Sequence, residues 1–196
     1  MGRNDLLIRT FPSVLLSAVS DHAAFSILFP DDVNKIPTEK FILERTFFRP
    51  RDIITFLNSI IDKHPLHNSF KWKSLLDVRA EYSEYLMDEV RNEMSGHISD
   101  TEIDESLKLI KNFNRHQFYF KDIVKYYEDN IFHYGNIKLE QSLIYLYNFS
   151  VLGNKWVNKG KGGKQYQSWA HRENNSDLDF SKEIVVHIGL REALSM

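Results

Sequence analysis

Apolar positions recur every three or four residues through most of the chain and alternate only near its end. Leu75, Val78, Tyr82, Leu86, Val90 and Met94 form the clearest repeat, which predicts one amphipathic helix over 72–95. Glu81, Glu84, Asp88, Glu89 and Glu93 populate its other faces and read as a solvated surface rather than a catalytic acid pair. Ser95-Gly96-His97 ends it. Ile103, Leu107, Ile110 and Phe113 predict a second helix over 101–113, capped by Asp100 or Thr101. Phe120, Ile123, Val124, Tyr127 and Ile131 predict another over 119–131. Tyr134-Gly135-Asn136 then turns the chain into a helix over 138–150, with Leu139, Leu143, Leu146, Tyr147 and Val151 inward. After it the period changes to two. Leu152–Val157 and Gln165–His171 read as strands joined by the tip Asn158-Lys159-Gly160-Lys161-Gly162-Gly163-Lys164. Residues 184–188 predict a third strand and 189–195 a short closing helix. Helix, helix, helix, strand, basic loop, strand is the order of a winged helix.

The first third has a less regular pattern. Residues 3–29 read as helical, with Leu6, Leu7, Val14, Leu15, Leu16, Ala18, Val19 and Phe25 supplying apolar surface and Pro12 a kink. Phe29-Pro30-Asp31-Asp32 closes it as a turn. Two readings stay open for this apolar opening: it packs on residues 40–61, or it has lost a packing partner. Residues 38–48 carry Phe41, Ile42, Leu43, Phe47 and Phe48, and Thr38 is a candidate cap. His64-Pro65-Leu66-His67-Asn68 reads as a linker; its two histidines lack a third ligand nearby, so no metal is expected there. The expected fold is mainly α with a small antiparallel β hairpin or sheet, a helical bundle followed by a winged helix-turn-helix-like domain. A helical lid-like region over 1–68 precedes a connector over 69–99 and the winged segment over 100–196.

Arg45-Thr46-Phe47-Phe48-Arg49-Pro50-Arg51-Asp52, running into Ile53 and Ile54, is the stretch with the most chemistry. Pro50 biases Arg49 away from the α region and suits the first turn of a new helix. Asp52 complements the positive helix end. Ile53, Ile54, Leu57, Ile60 and Ile61 are expected to bury one face. Arg49 and Arg51 then stand at a helix N-terminus, a mount suited to a phosphate or carboxylate. The alternative is that both arginines make intramolecular salt bridges.

Composition narrows the classes. The chain of 196 residues has no cysteine, which removes disulfides and thiolate chemistry and is compatible with a cytoplasmic protein. No apolar run reaches bilayer length and no signal-peptide layout opens the chain, so no membrane association is expected. Net charge is −2, without a global attraction for nucleic acid. The charge is uneven: residues 69–150 hold ten bases and fourteen acids, net −4, and residues 151–196 hold seven and five, net +2. Lys155, Lys159, Lys161, Lys164 and Arg172 precede any acid in that last part and mark a candidate polyanion or nonspecific nucleic-acid contact. The third helix of the array is a poor base reader, since Lys138, Glu140, Gln141 and Tyr145 include one base and one acid. His171 and His187, expected in strands, show no nucleophile elbow or zinc-pair context, so core packing or a backbone bond is expected of His187.

The run Arg45–Asn58 resembles the region after the nucleotide-binding core in a family of bacterial P-loop ATPases of poorly defined role. There an R-T-x-x-R-P-R-D-hydrophobic element opens a helix. Tyr82-Ser83, Leu146–Asn154, Trp169-Ala170-His171-Arg172 and Val186-His187-Ile188-Gly189-Leu190-Arg191-Glu192-Ala193-Leu194 continue the likeness, in order, over residues 40–196. The departure is that no G-x-x-x-x-G-K-[ST] occurs, and Gly160-Lys161-Gly162-Gly163-Lys164 is followed by Gln165. The resemblance implies the C-terminal accessory half of such an ATPase, as a fragment, truncated product or split subunit. It implies no hydrolysis by this chain, no catalytic residue, and no cofactor unless ATP is held by a core supplied elsewhere. Arg49 or Arg51 would sense nucleotide, and the winged segment would relay that state to a protein or nucleic acid. The other class to weigh is a stand-alone winged-helix DNA-binding regulator, carried by the basic hairpin tip.

Overall fold

The computed structural model describes residues 21–158, 160, 162–173 and 176–196. The expected kink at Pro12 and the apolar positions before residue 21 lie outside them. The chain divides into two compact units, residues 1–82 and 83–196, and the boundary falls inside one helix.

In the first unit, α1 (Asp21–Leu28) leads to a two-strand hairpin, β1 (Asp32–Val33) and β2 (Ile36–Pro37). Asn34 and Lys35 at its tip have φ of 53° and 67°. Positive φ at both central residues matches the right-handed twist of the flanking strands. This hairpin was not in the expected pattern, because strands of two residues carry no period. Next come α2 (Thr38–Arg45), α3 (Pro50–Lys63) and α4 (Trp72–Asp77), and α5 (Arg79–Met94) begins. Thr38 is not a cap: its hydroxyl donates to the Pro30 carbonyl, which ties α2 to the preceding turn. The expected 72–95 helix is two helices, broken at Val78 (φ −91°, ψ −3°). Its inward positions are as expected, with Leu75, Val78, Leu86, Val90 and Met94 at 0% exposure. The face α3 buries differs from expectation. Asp52, Phe56, Ile60 and Ile61 are buried, while Ile54 is 39% exposed and Ile53 and Leu57 are half-buried. Phe56 decides the rotation: its ring meets Tyr82 edge-on, with centroids 5.0 Å apart. That larger apolar surface outweighs the isoleucines beside it.

In the second unit, the rest of α5 is followed by α6 (Asp100–Phe113), β3 (Gln117–Phe118), α7 (Phe120–Asp129), a 3-10 turn (Ile131–His133) and α8 (Leu139–Asn148). Strands β4 (Leu152–Asn158), β5 (Lys164–Ser168) and β6 (Glu183–Val186) follow, then a closing 3-10 turn (Ile188–Leu190). Ser99, not Asp100 or Thr101, caps α6: its hydroxyl accepts from Glu102 N–H while the Glu102 carboxylate accepts from Ser99 N–H. Helix α7 ends earlier than expected and leaves Ile131 46% exposed. The four strands are antiparallel in the order β3-β6-β4-β5. The last strand therefore lies inside the sheet, with Leu152 opposite Val186 and Gln117 opposite Val185. Ile103, Ile110, Ile123, Leu143, Leu146 and Ile184 are buried in this unit's core. The C-terminal turn is tied to α5, since Ala193 N–H donates to Ser83 Oγ at 3.0 Å. The whole is mainly helical with small antiparallel sheets. No described helix is long and apolar enough to cross a membrane.

Candidate functional site: an arginine corner and a basic hairpin

Helix α2 stops at Arg45 because Thr46 turns extended (φ −99°, ψ 163°), its N–H closing on Ile42 C=O at 3.2 Å. Arg45 folds back over its own helix. Its guanidinium lies 3.6 Å from the Phe41 ring centroid and donates to the Phe41 carbonyl at 3.2 Å. At 7% exposure it belongs to the core. Phe47 is buried, and Phe48 takes φ of 58° with its side chain 43% exposed. A bulky residue in the left-handed region is strained by about 1–2 kcal/mol. The twist at Phe48 turns the chain into Arg49, which is extended (φ −86°, ψ 130°) as a pre-proline residue must be. Arg49 C=O then accepts from Asp52 and Ile53 N–H at 3.0 and 3.2 Å, and Pro50 opens α3.

The two candidate arginines flank Pro50 in unlike settings. Arg49 is half-buried, its guanidinium 5.5 Å from the Phe47 ring. Arg51 is 58% exposed by side chain, with Nε 3.7 Å from the Asp52 carboxylate, which is itself 1% exposed. Burying a carboxylate is costly, and the N-terminal dipole of α3 together with the adjacent Arg51 offsets that cost. Arg51 thus has a salt bridge, as the alternative sequence reading had it, yet most of its surface faces solvent. The corner offers a rigid backbone and two cations on one helix start.

The candidate cations of the second unit do not form a single patch. Lys155 is tied inward, Nζ donating to Gln117 Oε1 at 3.1 Å and standing 3.8 Å from Glu183. Lys164 opens β5, exposed, its ammonium 5.7 Å over the Tyr166 ring. Arg172 lies in the turn after β5 and donates from Nε to His171 Nε2 at 3.2 Å. Lys159 and Lys161 lie outside the described residues. Sequence reasoning missed Lys182, whose ammonium stands 4.2 Å over Trp156 and 3.1 Å from Asp179. The Ser181 hydroxyl and N–H, then Lys182, hold the Asp179 carboxyl below its usual value. Register was the missing signal, because only the β4–β6 pairing, with Lys155 opposite Glu183, brings Lys182 beside Trp156.

His171 and His187 lie outside the strands expected to hold them. His187 follows β6, is 1% exposed, and its Nδ1 accepts from Gly189 N–H at 3.2 Å. Its ring meets Trp169 edge-on at 5.0 Å. The His64 and His67 rings stack at 4.9 Å, and His64 stands 3.6 Å from Asp77. Among the described residues no group of three or more His, Cys, Asp or Glu could hold a metal ion.

Residues 5–91 match the model of a family described as a FunZ-associated C-terminal helical domain. The matched stretch includes α1 through most of α5 and the whole arginine corner, and it fits an accessory helical module. No curated protein and no solved structure matches the chain.

Proposed function

We propose that the chain is a non-catalytic accessory module of a P-loop ATPase, in which Arg49 and Arg51 bear on the terminal phosphates of a nucleotide held by a core outside this sequence. The corner's geometry carries the reading: an arginine fixed between a left-handed Phe48 and the N1 proline of α3. Such a backbone removes part of the ordering cost of gripping an anion. A guanidinium held this way feels strongly whether a terminal phosphate is present, because charge-assisted hydrogen bonds form or vanish with it. Arg45 is excluded from that role, since its guanidinium is engaged by Phe41. The match of residues 5–91 to a C-terminal helical domain supports an accessory position.

Hydrolysis is not expected of this chain, which lacks G-x-x-x-x-G-K-[ST]. Nucleotide would be met only in the core, and the winged-helix-like segment of the second unit would pass its state to a protein partner.

The test is reconstitution. A P-loop ATPase core encoded beside this chain is assayed for turnover with and without it. Wild-type chain is expected to change the core's rate or nucleotide affinity, and Arg49→Ala to abolish that change while still folding. A core indifferent to the chain, or equally affected by the Arg49→Ala and Arg51→Ala variants as by the wild type, overturns the reading.

A further inference from the structure

Strand β4 outruns the sheet that supports it. Its pairing with β6 stops at Lys155, opposite Glu183, whereas its pairing with β5 continues through Trp156↔Tyr166 and Val157↔Gln165 to Asn158↔Lys164. The outer half of the hairpin is therefore a two-strand arm. Directly paired residues share a face, so Trp156 and Tyr166 stand side by side, with centroids 5.8 Å apart and planes 17° from parallel. Both rings are half-buried, not sunk in the core. Ammonium groups sit over their faces: Lys182 over Trp156 at 4.2 Å and Lys164 over Tyr166 at 5.7 Å. Lys164 is exposed and flexible and moves off the Tyr166 face at little cost, whereas Lys182 is also held by Asp179 at 3.1 Å.

The charge around this pair is one-sided along the chain. From Lys155 to Arg172 the sequence holds five cations and no acid. Of the acids near the arm among the described residues, Glu183 is engaged by Lys155, Asp179 by Lys182, and Glu173 accepts from Ser168 at the inner end of β5. Lys164 is exposed, and the neighbouring tip glycines, Gly162 and Gly163, adopt positive φ with open space on the side where a Cβ would stand. Near-parallel aromatic faces flanked by cations are what a strand of unpaired bases needs: stacking for the bases and ammonium groups for the phosphates. Duplex is a poorer fit, because its bases are already stacked on one another, and the exposed positions of α8 and its start (Lys138, Glu140, Gln141) balance one base against one acid.

We propose that the Trp156–Tyr166 face of the β4–β5 arm is a stacking platform for single-stranded nucleic acid, without base specificity. It is independent of the nucleotide-sensing reading and survives or fails alone.

The test uses the full chain and a homopyrimidine single strand, oligo(dT), followed by tryptophan fluorescence at low salt. A Trp72→Phe background removes the exposed reporter of the first unit and leaves Trp156 with the buried Trp169. Saturable quenching is expected, weakening as salt rises. Loss of one stacking face by Tyr166→Leu is expected to weaken binding roughly tenfold or more, read by anisotropy of a labelled strand. Trp156→Leu is expected to weaken it by a similar factor, and Trp156→Tyr to restore it. Lys164→Gln, on an exposed tip where folding is not at stake, is expected to reduce the salt slope by about 0.7. No binding at low salt, equal or tighter binding of duplex of the same length, or affinity unchanged in folded Trp156→Leu and Tyr166→Leu variants would each overturn the proposal.

Discussion

The arginine corner and the basic hairpin both looked like cationic sites in the sequence, and the fold treats them in opposite ways. In the corner, charge is built into the frame: Arg45 is 7% exposed over Phe41 and Asp52 is 1% exposed at the start of α3. In the hairpin, Trp156 and Tyr166 form an aromatic pair; Lys155 is tied inward to Gln117 and Glu183, and Lys164 stands exposed over Tyr166. A buried charge holds position, and an exposed one remains available. The two arginines proposed to meet an anion are not the buried charges of the corner: Arg49 is half-buried and Arg51 is 58% exposed by side chain.

The contrast shows most where each frame is cut. Phe56→Ala removes the ring that α3 turns toward Tyr82 and is expected to cost about 3–5 kcal/mol. Denaturant unfolding followed at Trp72, in the first unit, is the measurement, and a shift under about 1 kcal/mol would mean that the corner does not rest on that packing. In the second unit Gly153 has no room for a methyl group, since a Cβ there meets the Trp169 ring at 2.5 Å. Gly153→Ala is expected to cost about 1–3 kcal/mol by overpacking, with a displaced Trp169 emission as its signature.

Smaller effects separate the two regions further. Ser99→Ala should cost about 1 kcal/mol through loss of the α6 cap. The Ser99 hydroxyl and N–H hold the Glu102 carboxyl below 4.5, its ordinary value. A depressed carboxylate contributes stability above its unfolded value and loses it as pH falls through the folded one. The penalty of Ser99→Ala should therefore shrink below pH 4.5, measured by unfolding across acid pH. At the alkaline end, burial and then the Tyr134 hydroxyl raise Tyr126 to about 12 from 10.0. That contribution is full below pH 10.0 and disappears as pH rises toward 12. The smallest effect has the opposite sign. Phe48→Gly relieves the left-handed strain and is expected to raise stability by about 0.5–1 kcal/mol. If the variant unfolds earlier, the Phe48 side chain holds the corner and the strain is not stored there.

The longest repeats were the legible part. Leu75 to Met94 and Ile103 to Phe113 are buried as their spacing implied, because a helix face large enough to cover a core leaves a period. The corner's covalent logic was legible too: Pro50 at N1 follows from its missing N–H, and Arg49 is extended because Pro50 follows it. What could not be read was decided by contacts between segments. The rotation of α3 follows from Phe56 meeting Tyr82, 26 positions away in the sequence. The split at Val78 leaves the apolar repeat intact, so no periodicity marks it. Lys155 looked like part of a patch until β6 brought Glu183 beside it, and the Trp156–Tyr166 ring pair exists only through strand register. The order of three helices and a hairpin was legible, whereas the insertion of β6 between β3 and β4 was not.

The decisive assay is phosphate release from ATP and magnesium by the highly purified chain alone. The proposed accessory module, whose sequence lacks G-x-x-x-x-G-K-[ST], is expected to give nothing above the blank, with or without Arg49. Turnover that follows the protein through purification and disappears in Arg49→Ala would contradict it.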